Sequence, residues 1–441
     1  MIKKNSLILT VGLWGFTTLR INPTDNPEIQ IANPPAAQDV IVNVYIHGIL
    51  KPVMDLGDTI KIAKQKIKRS RYKYATDYIR RHSAMSRVQA MQAVGLVPIR
   101  MQVDENNNGS RALVAVFRKL NEIMEVPKVK TYNYTFGWSG LLSYASRQKA
   151  AFFLHAKLNR LVRHLRKRGL NPIIKIYSFS HGGNVALQLA NFEPWKPNGK
   201  LNIAQLVMLG TPIQHDNDTL ILHPMFQSIY HFYSNGDIPQ KLDFVSTQYK
   251  ASYRRFHARK CFELPSKLTQ IQIRLSKKTI KQTPEIPSIK HSTTTYDPSH
   301  IEMWTFGWTP QGYDRRLPIF PLPVVAITPY LIQAIKDHPH LGTNLVANIN
   351  PDKARITFTD RNWHDHKLKQ VVKVPFLSRK QFREIRQAAW TRRAMAQTNA
   401  YVQRIVNNAV RFATRQRQLL THCAKTLRCP IKYQPKLQEL R

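Results

Sequence analysis

The stretch Ile173–Leu189, IIKIYSFSHGGNVALQL, decides the fold within seventeen residues. Ile173, Ile174 and Ile176 form a β-branched run with the composition of a buried strand. Ser178-Phe179-Ser180-His181-Gly182-Gly183 follows, a corner rich in small residues. Val185, Ala186, Leu187 and Leu189 then mark a helix. A strand, a tight corner and a helix in direct succession push the Ser180 hydroxyl outward. The backbone N–H groups of the next residues point into the same space. That combination suits a nucleophile beside a site for developing negative charge.

Working outward, strand signals recur on both sides. Val40–Ile46 (VIVNVYI) ends in His47-Gly48-Ile49-Leu50, and Val129–Phe136 (VKTYNYTF) ends in Gly137-Trp138-Ser139-Gly140. A long amphipathic helix is predicted from about Tyr144 to Arg168, stopped by Gly169 as a C-cap. Ile203–Leu209 (IAQLVML) closes on Gly210-Thr211-Pro212, and Ile229–Tyr233 (IYHFY) closes on Ser234-Asn235-Gly236-Asp237. Leu268–Leu275 (LTQIQIRL) is the last clear strand, followed by a polar loop to His300. Strands alternating with helix-length connections predict an α/β protein with a doubly wound, mostly parallel sheet covered on both faces.

Three segments stand apart from this alternation. Residues 1–37 begin with Lys3-Lys4 and an apolar run, Leu7–Leu19, that fits a signal peptide or short anchor but lacks a cleavage site. The run implies export or membrane association, or else a cytoplasmic protein in which it is a buried first strand. Between about 51 and 126 the strand signal disappears, which predicts a helical insertion in the α/β domain, whose bounds are read as 38–312. Within it Lys61–Arg81 carries nine basic residues and one acid, Asp77, with Ile60, Ala63, Ile67, Tyr74 and Tyr78 on one helical face. Asn106-Asn107-Asn108-Gly109 predicts a turn. From 313 to 441 a basic, mainly helical extension is expected. It begins with Pro318, Pro321 and Pro323, and Arg355–Thr359 with Lys367–Val374 suggests a small β-ribbon. Arg379–Arg417 then holds ten cations and one acid, Glu384.

The chain of 441 residues has 43% hydrophobic residues, which excludes a disordered polyelectrolyte, yet carries a net charge of +41. Anionic partners follow as candidates: an anionic membrane surface, an acidic substrate or nucleic acid. No RRM, zinc-finger or helix-turn-helix pattern accompanies the basic segments, so nucleic acid is not the expected partner. Three cysteines exclude a disulfide framework and supply no metal cluster, though Cys423 and Cys429 are close enough in sequence to pair. No phosphate-cradling glycine motif is present, and no cofactor or metal is expected.

The strand ends carry the chemistry. Ser180, Asp237 and His300 each follow a predicted strand, in the order nucleophile, acid, base. A serine hydroxyl needs a histidine to take its proton, and the histidine needs a carboxylate to hold its tautomer. This arrangement resembles an α/β-hydrolase, with Ser178-Phe179-Ser180-His181-Gly182 similar to the G-x-S-x-G nucleophile elbow and Ser178 replacing the first glycine. His47-Gly48 resembles the family's oxyanion loop. The implied oxyanion hole is the backbone N–H of His181 plus that of Ile49, with His47 shaping the loop rather than acting as a base. Leu209-Gly210-Thr211-Pro212 resembles a strand end of lipase-like members, and Trp138-Ser139-Gly140 with Arg147 is similar to some of them. The resemblance covers about residues 38 to 308.

Alternatives remain open at two places: Asp216 or Asp218 for the acid, and His291 for the base. His231, inside a strand, is read as structural. The expected activity is cleavage of an ester or thioester, of lipid or another acyl substrate. Acyl transfer by the same residues is an alternative, as is a hydrolase-like scaffold that binds anionic membrane or nucleic acid through its basic helices.

Overall fold

A computed structural model describes residues 37–50, 70–101, 108–195, 201–242, 252–283, 286–307, 316–361, 371–390 and 399–426. The apolar run Leu7–Leu19, the basic residues from Lys61 to Arg69, and Cys429 lie outside them. The described elements belong to one compact unit beginning at Ala37.

In chain order they are β1 (Gln38–Ile46), α1 (Arg71–Arg81), α2 (Ser83–Val88), β2 (Gly95–Pro98), α3 (Gly109–Ile123) and β3 (Thr131–Gly137). Then come α4 (Tyr144–Arg166), β4 (Leu170–Phe179), α5 (His181–Leu187), β5 (Ile203–Leu209), β6 (Ile229–Tyr233) and the short α6 (Pro239–Leu242). The last part comprises β7 (Leu268–Thr283), β8 (Ile286–Tyr296), α7 (Thr328–Lys336), β9 (Asn344–Asn350), β10 (Arg355–Asp360), β11 (Val371–Pro375), α8 (Arg379–Trp390) and α9 (Asn399–Thr426).

All the strands join one sheet in the order β11-β10-β9-β7-β6-β5-β4-β1-β3-β2, with β8 paired to β7. The strands from β3 to β9 in that order run parallel, and the pairs β2/β3, β7/β8, β9/β10 and β10/β11 are antiparallel. The α/β expectation therefore holds, with a mixed, mostly parallel sheet. Alternation along the strands divides the interior into two cores. On one face Val40, Val42, Val44, Ile174, Ile176, Leu206 and Met208 pack against α4 and α5. On the other, Tyr45, Tyr177, Phe179, Val207 and Leu209 meet α3, α7 and α8. Strands apolar on both sides are what a sheet covered on both faces requires.

Three details differ from the sequence reading. The region expected to be mainly helical also contains β2, an edge strand of four residues bounded by Gly95 and Pro98 and too short for a periodic signal. The polar loop before His300 is the outer part of a hairpin, in which β7 runs on to Thr283 and returns as β8. At positions 292–296 that ribbon alternates half-buried and exposed residues, so no apolar face betrays it. The segment from 313 is mostly helix among its described elements, but it is not an extension outside the sheet domain. β9 lies parallel to β7, β10 and β11 extend the sheet, and Leu345, Ile349, Ile356, Phe358, Phe382 and Ile385 fill the core shared with Phe179. The ribbon of β10 and β11 does form as expected. The basic C-terminal stretch contains the helices α8 and α9, and α9 packs Ala409 and Ala413 against Ala75 and Ile79 of α1.

Ile385→Ala removes a fully buried side chain from this shared core, with an expected loss of about 2–5 kcal/mol in denaturant unfolding. A chain ending at Trp308 is expected not to unfold cooperatively, because β7 loses its parallel neighbour β9 and one core loses α7 and α8. Unchanged melting of either variant would mean that the C-terminal segment is dispensable for the sheet.

Candidate functional site: a serine, a histidine and an aspartate at the sheet's switch point

β1 sits between β3 and β4. The chain leaves β1 for β3 on one side, returns to β4 on the other, and continues outward through β5 and β6. The connections therefore diverge between β1 and β4, and open α/β sheets bind ligands outside the carboxyl ends of the strands at such a point. His47-Gly48 follows β1 and Ser180 follows β4, so both lie at this point. A Cβ on Gly48 would approach the Ser180 Cβ to 2.8 Å, which measures how closely the two loops meet.

Ser180 occupies φ 52° and ψ −132°, a backbone conformation that costs a non-glycine residue roughly 1–3 kcal/mol. The corner is clamped from both sides. Ser180 N donates to Leu209 O at 2.8 Å, and Gly183 N donates to Ser180 O at 2.9 Å. A side chain at Gly182 would meet His47 O at 2.6 Å, so only glycine fits beneath the β1 loop. Ser178 explains its own departure from glycine: it is fully buried, and its hydroxyl donates to Val207 O at 3.1 Å on the neighbouring strand.

The three sequence-selected side chains come together here. His300 Nδ1 lies 2.9 and 2.8 Å from the two carboxylate oxygens of Asp237, and His300 Nε2 lies 3.0 Å from Ser180 Oγ. With Asp237 a carboxylate, Nδ1 carries the proton it donates, which leaves Nε2 as an acceptor for the Ser180 hydroxyl. Asp237 is wholly buried, and Gln240 N also donates to its Oδ1 at 3.2 Å. Arg254 Nε donates to its backbone carbonyl at 3.0 Å, fixing the turn after β6. The His300 ring packs 4.7 Å from Phe179, which stacks on Trp304 at 5.7 Å. Ser299 N donates to Glu302 Oε2 at 2.6 Å and closes the turn that presents the histidine.

The alternatives are occupied elsewhere or not described. Asp218 pairs with Arg259 and with His215 at 3.0 Å. Asp216, on the same loop, is not the partner of His300 Nδ1. His291 pairs by its backbone with Ile280 in the hairpin, and its side chain lies outside the described residues.

The β1 loop is braced by His47 and Trp138, both singled out in the sequence, and by Arg80, which is not. His47 Nδ1 donates to Gly48 O at 2.7 Å, its Nε2 accepts from Trp138 N at 3.3 Å, and Trp138 Nε1 donates to His47 O at 2.7 Å. Both ring nitrogens are thus engaged by backbone. Burial first, and then the nearby Arg80 charge, push the His47 pKa down to about 3, so the ring stays neutral. Arg80 turns inward from a helix that reads as a basic outer face, donating to Trp138 O at 3.0 Å and to Gln92 O. Burial lowers its pKa to about 10. Leu50 N donates to Gly140 O at 3.0 Å, tying the two loops together, and Ile49 is half-buried between them. His181 is the first residue of α5, with Asn184 Nδ2 3.2 Å from its Nδ1. Arg147 is wholly buried and donates to Gln214 Oε1 at 3.0 Å. Among the described residues no His, Cys, Asp and Glu side chains gather as a metal site.

Two measurements test this geometry. Ser180→Gly and Ser180→Ala both lose the hydroxyl, but glycine also sheds the backbone strain. Ser180→Gly is expected to be the more stable by about 1 kcal/mol, after its larger unfolded-state entropy is counted. Equal stabilities would mean the corner is unstrained. His47 and the wholly buried His231 on β6 are both held at about 3 against 6.5 in the unfolded chain. The unfolded state takes up these protons first on acidification. The stabilisation is therefore complete above pH 6.5 and is lost as pH falls toward 3, at about 1.4 kcal/mol per pH unit for each ring. His231→Gln is expected to remove one proton from that slope.

No protein-family model matches the chain, and no curated protein is significantly similar to it in sequence.

Proposed function

We propose that the protein is a serine hydrolase of α/β-hydrolase type that cleaves an ester or thioester through an acyl-enzyme. The observation that carries this reading is the continuous hydrogen-bonded path from Ser180 Oγ through His300 to the buried Asp237 carboxylate. A structural serine has no use for a strained corner that aims its hydroxyl at a carboxylate-oriented histidine. The order of strands adds support, because Ser180 follows β4 and Asp237 follows β6, both parallel strands of the sheet, while His300 follows β8, the returning arm of the β7 hairpin.

In this mechanism Ser180 Oγ attacks the acyl carbonyl while His300 Nε2 takes its proton. Asp237 holds the Nδ1–H tautomer and stabilises the imidazolium. The tetrahedral oxyanion is received by the N–H of His181, at the head of α5, and by that of Ile49. A preorganised donor of this kind lowers the barrier by roughly 3 kcal/mol. His300 then protonates the leaving alcohol or thiol. Water, deprotonated by the same nitrogen, next attacks the acyl-enzyme and releases the acid. The substrate class is an acyl ester, lipids included, and the chemistry uses only this chain's side chains and backbone. The His47–Trp138–Arg80 brace acts by keeping the Ile49 loop at its distance from Ser180.

A fluorophosphonate probe is expected to label Ser180 in the folded protein, and an unlabelled Ser180 would sink the proposal. Ser180→Ala and His300→Ala should each lower turnover of p-nitrophenyl esters by about 10⁴-fold or more, and Asp237→Asn by about 10⁴-fold. Turnover across esters of graded length reads the substrate class: a rise with acyl length indicates a lipase, a fall an esterase.

A further inference from the structure

One face of α4 takes no part in the chemistry. Its inner positions, including Ala151, Leu154, Leu158 and Val162, are buried in the core. Its outer positions Lys149, Lys157, Arg160, Arg163 and Arg166 are exposed, and Lys167 and Arg168 continue the run. From Tyr144 to Gly169 the sequence contains no Asp or Glu. Solvated helix faces usually gain from interleaved opposite charges at i,i+4, whereas here neighbouring charges repel. Among the described residues none of these cations makes an ion pair.

The same helix exposes two large apolar rings. Phe152 is 52% and Phe153 48% exposed, with ring centroids 5.7 Å apart. Phe192 backs Phe152 at 5.5 Å, and Trp195, three residues on, is 62% exposed. The Phe rings meet edge to face, at 66° and 70°, forming an apolar knob rather than a row of parallel platforms for bases. Phenylalanine also has no polar group with which to read a nucleic acid. A headgroup layer rewards both features together, charge at its surface and apolar depth beneath.

We propose that the outer face of α4 docks on an anionic lipid membrane, with Lys157, Arg160 and Arg163 among the headgroups and Phe152 and Phe153 at the acyl boundary. Because the face is exposed surface on a helix anchored by its opposite side, it needs no rearrangement to bind. The proposal does not depend on the hydrolytic reading: Ser180→Ala is expected to dock as the wild type does, so the two ideas fail separately.

The test uses the full chain with phosphatidylcholine vesicles, with and without about 30 mol% phosphatidylserine. Co-sedimentation is followed at rising salt. The wild type is expected to bind only the anionic vesicles and to be released as salt shortens the range of the attraction. Lys157→Glu/Arg160→Glu/Arg163→Glu should weaken partitioning at least about fivefold for each charge changed. Phe152→Ser/Phe153→Ser should weaken it about tenfold or more. Both variants should keep the wild-type melting temperature and turnover of a soluble short-chain ester, which separates lost docking from lost folding. Equal binding to neutral vesicles, or vesicle binding untouched by the charge variant, overturns the proposal. So does a phenylalanine variant that binds vesicles normally while wild type and variant alike bind a duplex oligonucleotide that the charge variant releases; that outcome assigns the face to nucleic acid.

Discussion

The structure depends on one strained residue. Ser180 is held at φ 52° and ψ −132° between a strand and a helix, and every neighbour is shaped to keep it there. Leu209 O and Gly183 N bind its backbone, Gly182 makes room for the β1 loop, and Ser178 replaces a space-saving glycine with a hydroxyl that bonds the adjacent strand. Such a conformation survives only where the surroundings over-determine it, and a buried parallel sheet with two cores supplies that rigidity. The cost of the corner is a few kcal/mol. Its return is a hydroxyl fixed at 3.0 Å from His300.

Around this point the molecule separates orientation from charge. The groups that position the site are buried and individually satisfied: Asp237 by Gln240 N and His300, and His47 by Gly48 and Trp138. Arg80 is a charged member of this set. A guanidinium is expensive to bury, and it goes inward here because two backbone carbonyls, of Trp138 and Gln92, accept from it. Apart from Arg80 and the wholly buried Arg147, the described cations lie at half-buried or exposed positions, in a chain whose net charge is +41. Self-repulsion on that scale opposes compactness, so the cores must offset it. The C-terminal third contributes to that offset through β9, β10, β11 and α8, which explains why a segment so basic is nonetheless threaded into the main core.

The face of α4 belongs to the same division. One side of a single helix carries the aliphatic residues that press on the central strands, while the other carries cations, two exposed phenylalanines and no acid. Rigid docking of the inner side sets the direction in which the outer side points.

The sequence by itself determined the central strands, the corner at Ser180 and the order serine, aspartate, histidine. Buried parallel strands read as apolar runs, and a tight corner admits few residue types, so both leave local marks. Only the tertiary structure decided which aspartate serves His300, since Asp218 is claimed by Arg259 and turn aspartates look alike in sequence. It also decided that Arg80 points inward, that the polar stretch before His300 is a hairpin, and that the chain after 313 completes the sheet. These features rest on partners far apart in the chain, β7 with β9 and His47 with Trp138, and a contact between distant residues has no periodicity to announce it.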